Sequence, residues 1–341
     1  MSAASPPLRV GTRASQLARA QSDLVAGSLR QALGREVELV PVRTEGDVST
    51  ASLASIGGTG VFVTALRAAL LEGRVDVAVH SLKDLPTEPP EGIALAAVPA
   101  REDPRDVLVA RDGLTLAELP PGSRVGTGSP RRVAQLAALG LGLDLVDVRG
   151  NVDTRIGKVR AGELDGVVLA RAGLLRLGRA DEATETLDPI QVLPAAGQGA
   201  LAVECRADDP VADEVRRAVD HAPTRACVTA ERVLLARLEA GCAAPVGALA
   251  DVAEDETGEQ LWLRAVALAV DGGRAVRRSA TGPVSEATAL GETVAAELLA
   301  EGAADLVHPA HAEGLAASSA EAGPEQHEQP APQRTATRRQ P

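Results

Sequence analysis

Arg9-Val10-Gly11-Thr12 and Arg124-Val125-Gly126-Thr127-Gly128-Ser129-Pro130-Arg131-Arg132 are two renderings of one pattern. In each, a short apolar strand ends in a Gly-Thr turn and passes, through Ser15 or Ser129, into a helix. A second pair agrees: Gly73-Arg74-Val75-Asp76-Val77-Ala78-Val79 and Gly162-Glu163-Leu164-Asp165-Gly166-Val167-Val168 both run from a turn into a buried strand. The offsets between copies differ, so the pattern is that of two lobes of like topology with different loops, not of a solenoid.

Outward from these turns, apolar runs alternate with helical patterns, which predicts α/β lobes with largely parallel sheets. Strands are expected at Leu8–Val10, Val37–Val42, Val75–Val79, Val107–Val109, Leu143–Val148 and Leu164–Leu169, and helices at Gln16–Leu33, Val61–Glu72, Arg131–Leu139 and Thr154–Ala161. Gly197-Gln198-Gly199 is a turn into a strand, Ala200–Glu204, that returns to a lobe. Beyond it the pattern changes to a small α+β domain. A helix from Thr224 to Glu239, closed by Gly241 as a left-handed cap, precedes strands Val246–Val252, Leu261–Val270 and Arg274–Thr281. Asp271-Gly272-Gly273 makes the hairpin turn and Ser285–Ala300 a covering helix. From about Pro309 the composition has no periodicity and predicts disorder.

The chain has 341 residues and a formal net charge of −12, and its only aromatics are Phe62 and Trp262. An acidic protein without stacking side chains is a poor nucleic-acid binder. No stretch approaches the roughly 18–20 apolar residues that span a bilayer, and Met1–Pro7 has no signal-peptide pattern, so a cytoplasmic protein without membrane partners is expected. Cys205, Cys227 and Cys242 are unrelated in spacing, and the five histidines are scattered, so neither a disulfide framework nor a metal site is predicted.

Positive charge is nonetheless concentrated. Arg131 and Arg132 follow one glycine-rich turn, Arg149 and Arg155 bracket Gly150-Asn151-Val152-Asp153-Thr154, and Arg176 lies further on. Guanidinium forks beside such turns suit bidentate capture of carboxylate or phosphate. The first backbone N–H groups of a helix bind anions too, so two facing lobes make a cleft with Arg13, Ser15, Thr127, Ser129, Arg131 and Arg132 on its walls. Ser15 and Ser129 are also suitable N-caps. At the end of a buried strand stands His80-Ser81-Leu82-Lys83-Asp84-Leu85-Pro86, which holds one of only two lysines in the chain. A Lys-Asp pair in a cleft is equipped for acid/base or charge-stabilising work. Cys242, in a loop of small residues, is open to act as a nucleophile or an attachment point.

Taken together, Val79–Pro86, Arg101-Glu102-Asp103-Pro104-Arg105-Asp106, Gly126–Arg132, Arg149–Arg155, Pro194–Ala200 and Glu239–Gly247 resemble the porphobilinogen deaminase (hydroxymethylbilane synthase) family, in order from about Leu8 to Val307. The resemblance implies two periplasmic-binding-protein-like (type II) α/β lobes with a cleft between them, plus the small α+β C-terminal domain. Lobe 1 would be residues 1–102 with 197–219, lobe 2 residues 103–196, the α+β domain 220–308 and the tail 309–341. It implies a transferase of tetrapyrrole and haem biosynthesis, acting as a monomer. Four porphobilinogen units are joined head to tail on a covalent dipyrromethane primer, with loss of ammonia at each step, and the product is released by hydrolysis.

By the same resemblance Cys242 carries the dipyrromethane through a thioether. Asp84, with Lys83, is catalytic: its carboxylate faces pyrrole N–H groups and stabilises the azafulvene cation left when ammonia departs. Lys83, Asp84, Ser81, Thr127, Ser129, Arg131, Arg132, Arg155 and Gly150 would bind cofactor. Arg13, Ser15, Arg149, Arg155, Arg176 and Gln198 would bind substrate. The donor of the proton to the leaving amine stays open, with Asp84 one option. Glu45, Ser55, Thr59 and Thr64 depart from the family pattern, all but Thr64 in Thr44–Gly60, which reads as a mobile lid. Two other classes compete, a non-catalytic bilobal binder of a small polycarboxylate and a cysteine-dependent transferase without pyrrole chemistry.

Overall fold

The computed structural model describes residues 6–42, 61–88, 90–241, 244–256 and 258–307. Cys242, the lid segment Thr44–Gly60 and the tail from 309 onward lie outside the described residues.

The chain begins with β1 (Leu8–Thr12), α1 (Gln16–Leu33), β2 (Val37–Pro41), α2 (Val61–Leu71), β3 (Val77–Ser81) and β4 (Ile93–Ala97). It continues with β5 (Asp106–Ala110), β6 (Arg124–Gly126), α3 (Pro130–Ala138), β7 (Asp144–Val146), α4 (Val152–Arg160), β8 (Gly166–Ala170), α5 (Arg171–Arg176) and β9 (Glu185–Thr186). Then come β10 (Leu201–Arg206), α6 (Val211–Val219), α7 (Ala222–Arg237), β11 (Val246–Asp255), β12 (Gly258–Leu268), β13 (Ala275–Pro283), α8 (Ala287–Ala300) and α9 (Ala303–Val307).

Two five-stranded sheets, ordered β2-β1-β3-β10-β4 and β7-β6-β8-β5-β9, repeat one another in order and direction. β1 is parallel to β2 and β3, and β6 is parallel to β7 and β8. β10 runs antiparallel to β3 and β4, as β5 does to β8 and β9. Both sheets are therefore mixed, where the alternation of strands and helices predicts largely parallel ones. The reason is that the inserted strand reaches each sheet from the other lobe, so no crossover helix precedes it. Residues 98–105 and 187–200 make the two crossings, and a site between the lobes has both beside it.

α1 starts where Ser15 accepts a hydrogen bond from the Ala18 N–H at 3.3 Å, and ends at Gly34 with φ 59°. Its Val25, Ala26 and Leu29 pack against Leu8, Val10, Val77, Val79 and Val203 of the sheet. Fully burying a side chain such as Leu29 is worth roughly 1.5–3 kcal/mol. β3 begins two residues later than the apolar run suggests, because Asp76 is taken by a turn. The Arg9 N–H and guanidinium both donate to the Asp76 carboxylate, at 3.0 and 2.7 Å. Pairing with β1 then starts at Val77, and the shift places His80 and Ser81 inside the strand.

The third sheet, β11-β12-β13, is antiparallel. One face packs Leu261 and Leu263 against Leu234 of α7 and Val294 and Leu298 of α8. The other packs Leu249, Val266 and Leu268 on Ala134 and Leu193, tying this domain to the second lobe. α7 does not end on a left-handed Gly241: the left-handed residue is Glu239, with φ 50°. Leu238 and Ala240 are both buried in this core, so the chain turns inward before it reaches the glycine.

Candidate active site

β3 delivers the first part of the site. After Ser81, a 3₁₀ turn over Leu82–Asp84 buries Leu82 and leaves Asp84 exposed. Arg232 of α7 donates to the carbonyls of Leu85 and Pro86 at 3.1 and 2.7 Å, so the exit of the turn is fixed by the third domain. Beneath it, buried His80 lies 3.3 Å from Glu204 of β10, whose carboxylate also accepts two bonds from Arg67, at 3.0 and 2.7 Å. Burial pushes the Glu204 carboxyl up, but His80 and Arg67 outweigh it and hold it down at about 2. The Gln21 side-chain amide donates to Ser81 Oγ at 2.9 Å, joining α1 to the end of β3.

Lys83 points into the crossings, where its Nζ donates to Gln198 Oε1 at 3.3 Å. Burial, followed by the Arg132 charge, lowers its pKa to about 8; Asp84 and Asp106 act in the opposite direction. Gln198 is 1% exposed and its amide nitrogen donates to the Pro104 carbonyl at 2.7 Å and to Asp106 Oδ1 at 2.8 Å.

The second lobe supplies the arginines. Arg131 and Arg132 open α3 behind Pro130 and are both buried. Arg131 Nη2 donates to Asp106 Oδ2 at 2.8 Å and Arg132 Nη2 to Asp106 Oδ1 at 2.7 Å. Burial works against the Asp106 carboxylate, but Arg131, Arg132 and Gln198 hold its pKa well below the usual range. Thr127 is buried and its Oγ1 accepts from the Ser129 N–H at 3.3 Å. Ser129 occupies the N-cap position of α3 without a capping bond, unlike Ser15. Arg155 Nε donates to the Gly150 carbonyl at 2.8 Å, and Gly150 has φ 104°, open to a residue without a Cβ. Burial, then Arg132 and Arg149, push the Arg155 guanidinium below its usual range. Arg149 is exposed, 3.3 Å from Asp147. Arg176 Nη2 donates to the Gly199 carbonyl at 2.6 Å, so α5 reaches across to the returning crossing.

The structure thus brings Lys83, Gln198, Arg131 and Arg132 into one network, with Arg155 electrostatically coupled to Arg132 and Arg176 bonded to the residue after Gln198. Arg13 and Ser15 lie in the first lobe, at the start of α1. Cys242 is outside the described residues. Asp106 received no role from the sequence, although it joins most of this network. A signal was present in an aspartate that immediately precedes the apolar run Val107–Val109, since a carboxylate on a buried strand must be paired.

The cluster suits a ligand with several carboxylates. Burial and two neighbouring cations disfavour the charge on Arg155, yet a guanidinium does not deprotonate. Added anions relieve that repulsion. A bilobal α/β protein with a cluster of cationic side chains at its crossings, carrying a third domain on the second lobe, is the class these features define.

Residues 8–214 match the family model described as "Porphobilinogen deaminase, dipyromethane cofactor binding domain", and residues 225–300 match "Porphobilinogen deaminase, C-terminal domain". The chain is 61% identical to porphobilinogen deaminase 1 of Streptomyces avermitilis, over 88% of this chain and 97% of that one. It is 58% identical to porphobilinogen deaminase of Thermobifida fusca, over 90% and 97%. A solved periplasmic substrate-binding protein of an ABC transporter from Coxiella burnetii superposes on 62% of this chain and 91% of its own, with TM-score 0.41 and 14% identity. The chain belongs to the porphobilinogen deaminase family. Its cofactor is dipyrromethane, which sets aside the reading as a non-catalytic polycarboxylate binder.

Proposed function

We propose that the protein condenses four porphobilinogen units head to tail on a dipyrromethane primer held by Cys242, releasing ammonia at each addition and hydroxymethylbilane at the end. The bound primer supplies the pyrrole carbon onto which the chain grows. One observation supports the assignment of the site above all others. The exposed Asp84 carboxylate sits on a turn whose other polar residue, Lys83, is bonded through Gln198 to the buried Asp106–Arg131–Arg132 cluster.

Each residue has a physical task. Arg131, Arg132, Arg155 and Lys83 meet carboxylates of the primer, and Thr127, Ser129, Ser81 and Gly150 add hydrogen bonds from hydroxyl and backbone groups. Arg13, Ser15, Arg149 and Arg176 meet the acetate and propionate of the incoming unit. Asp84 holds a negative charge opposite the pyrrole N–H groups, where positive charge grows as the amine leaves, and a preplaced charge of this kind acts most strongly when water is excluded. Lys83, with a pKa of about 8, is cationic at neutral pH and able to hold or pass a proton near that turn.

The proposed domains are residues 1–102 with 197–219, 103–196 and 220–308, in a protein that works as a cytoplasmic monomer. Among the described residues no helix is long and apolar enough to cross a membrane. Intact mass tests the reading. Protein made where porphobilinogen is available carries the mass of a dipyrrole above its sequence mass, and Cys242→Ser removes that excess. A bare sequence mass in the wild type sinks it.

A further inference from the structure

Asp106, at the start of β5, has no exposed surface, yet its carboxylate takes hydrogen bonds from three side chains. Oδ2 accepts from Arg131 Nη2 at 2.8 Å, while Oδ1 accepts from Arg132 Nη2 and Nε, at 2.7 and 3.2 Å, and from the Gln198 amide at 2.8 Å. The far sides of the guanidinium groups are fixed as well. Arg131 Nη1 donates to the Leu193 carbonyl at 2.6 Å and Arg132 Nη1 to the Val168 carbonyl at 2.9 Å. Neither fork can turn without leaving a buried charge unpaired, which is strongly unfavourable.

The network also crosses between the lobes. The amide nitrogen of Gln198 is held by Asp106 and the Pro104 carbonyl, which fixes the direction of its oxygen. That oxygen accepts from Lys83 Nζ, next to Asp84. A carboxylate on β5 of the second sheet thereby sets the place of an ammonium group on a turn of the first. The charged groups that act most strongly on Lys83 include Arg132, Arg131, Asp84 and Asp106. Two cations, Arg131 and Arg132, share the single charge of Asp106, and a third, Lys83, is joined to it through Gln198, so the cluster carries an excess of positive charge.

We propose that Asp106 is a positioning residue for the condensation, holding Arg131 and Arg132 directly and Lys83 through Gln198, so that pyrrole carboxylates meet a preformed array built from both lobes. The inference rests on the functional reading above. It does not require Asp106 or Gln198 to touch the substrate, and their burial agrees with that.

A buried ion pair can also be structural alone, so the test separates the two roles. Gln198→Met leaves Asp106 paired with both arginines and breaks the link to Lys83, together with the amide's own bonds to Asp106 and the Pro104 carbonyl. Apo-protein is given porphobilinogen and primer acquisition is followed by intact mass; KM, kcat and the pH profile of kcat/KM are then measured on the loaded protein. Positioning predicts acquisition slowed by about tenfold, the worth of one hydrogen bond to a charged group. It also predicts a raised KM and an alkaline limb moved to lower pH, because Lys83 loses an acceptor that favours its charged form; a merely structural role lowers the melting temperature and leaves the limb in place. Asp106→Asn, where it folds, shows a larger loss of acquisition, and Asp106→Glu recovers part of it. Acquisition, KM and pH profile of Gln198→Met all within twofold of wild type overturn the inference. Wild-type protein without the dipyrrole mass overturns the functional reading, and this inference with it.

Discussion

Arg101 and Glu231 form a two-point ion pair, at 2.6 and 3.1 Å, across the junction of the first crossing and α7. Glu231 is 0% exposed, and its two oxygens also accept from the Gly197 N–H at 2.6 Å and the Ala250 N–H at 2.8 Å. Arg101 Nε donates to the Gln198 carbonyl at 2.8 Å. One carboxylate therefore ties together both crossings and the third sheet. Glu231→Ala leaves a guanidinium and two backbone donors unpaired and is expected to cost about 3–5 kcal/mol. Urea unfolding of the loaded protein measures this, and a loss below about 1 kcal/mol contradicts the assigned role.

Gly199 lies on the returning crossing with φ 87°, and a Cβ there would overlap the carbonyl oxygen of Glu102. Its own N–H is not the issue; the Glu102 N–H donates to the Gly199 carbonyl at 3.2 Å, so the two crossings run in contact. Gly199→Ala pays roughly 1–2 kcal/mol for the left-handed backbone before any clash is counted. Because the neighbour is backbone, relief must come from separating the crossings. Both stability and KM are expected to worsen, and calorimetry with steady-state kinetics on one preparation checks the pair of effects.

Glu204 links stability to acid pH. Its carboxyl is held at about 2 in the folded protein, against an ordinary value near 4.5. A depressed carboxyl stabilises the fold above its unfolded pKa, and that contribution is lost as pH falls through the window from about 4.5 to 2. The shift corresponds to on the order of 3 kcal/mol. Glu204→Gln should flatten the pH dependence of unfolding in that window; an unchanged slope counts against the His80–Glu204–Arg67 arrangement as its source.

Lys83 sets an alkaline limit. Its folded pKa of about 8 lies below the ordinary value of 10.5, so the unfolded chain binds the extra proton between these values and stability rises with pH across that window. Activity moves the other way, since an ammonium that binds carboxylate is lost as pH passes about 8. Lys83→Arg keeps a charge beyond this range, so the alkaline limb of kcat/KM is expected to move upward by a unit or more, roughly, whatever happens to the maximum.

The duplicated lobes are legible because their Gly-Thr turns and the capped limits of α1, from Ser15 to Gly34, are local signals. Sheet order is not local. Nothing in Leu201–Arg206 says that this strand lies between β3 and β4, because its partners are more than a hundred residues away. The arginines are legible as a class, through their spacing from glycine-rich turns. That Arg131 and Arg132 share one buried carboxylate is visible only once β5 is placed beside β8, where Asp106 meets α3. A lone acid before an apolar run otherwise reads as the exposed start of a strand.

Asp84 is the sharpest point of the proposed mechanism, because it combines exposure with a turn anchored on both sides. Leu82 is fully buried below it, and Arg232 fixes the carbonyls of Leu85 and Pro86 beyond it. Asp84→Asn preserves shape and hydrogen-bonding atoms but removes the charge, so primer attachment at Cys242 and the melting temperature should stay near wild type. What disappears is the attraction for positive charge developed as ammonia leaves. Loss of one preplaced charge-stabilising group typically costs about 10²–10³ in kcat, and the loss should fall on kcat with little change in KM. Single-turnover release of ammonia from protein verified by mass to carry the dipyrrole measures the step directly. Turnover within a few-fold of wild type removes Asp84 from the chemistry and leaves the carboxylate-binding array as the only assigned machinery.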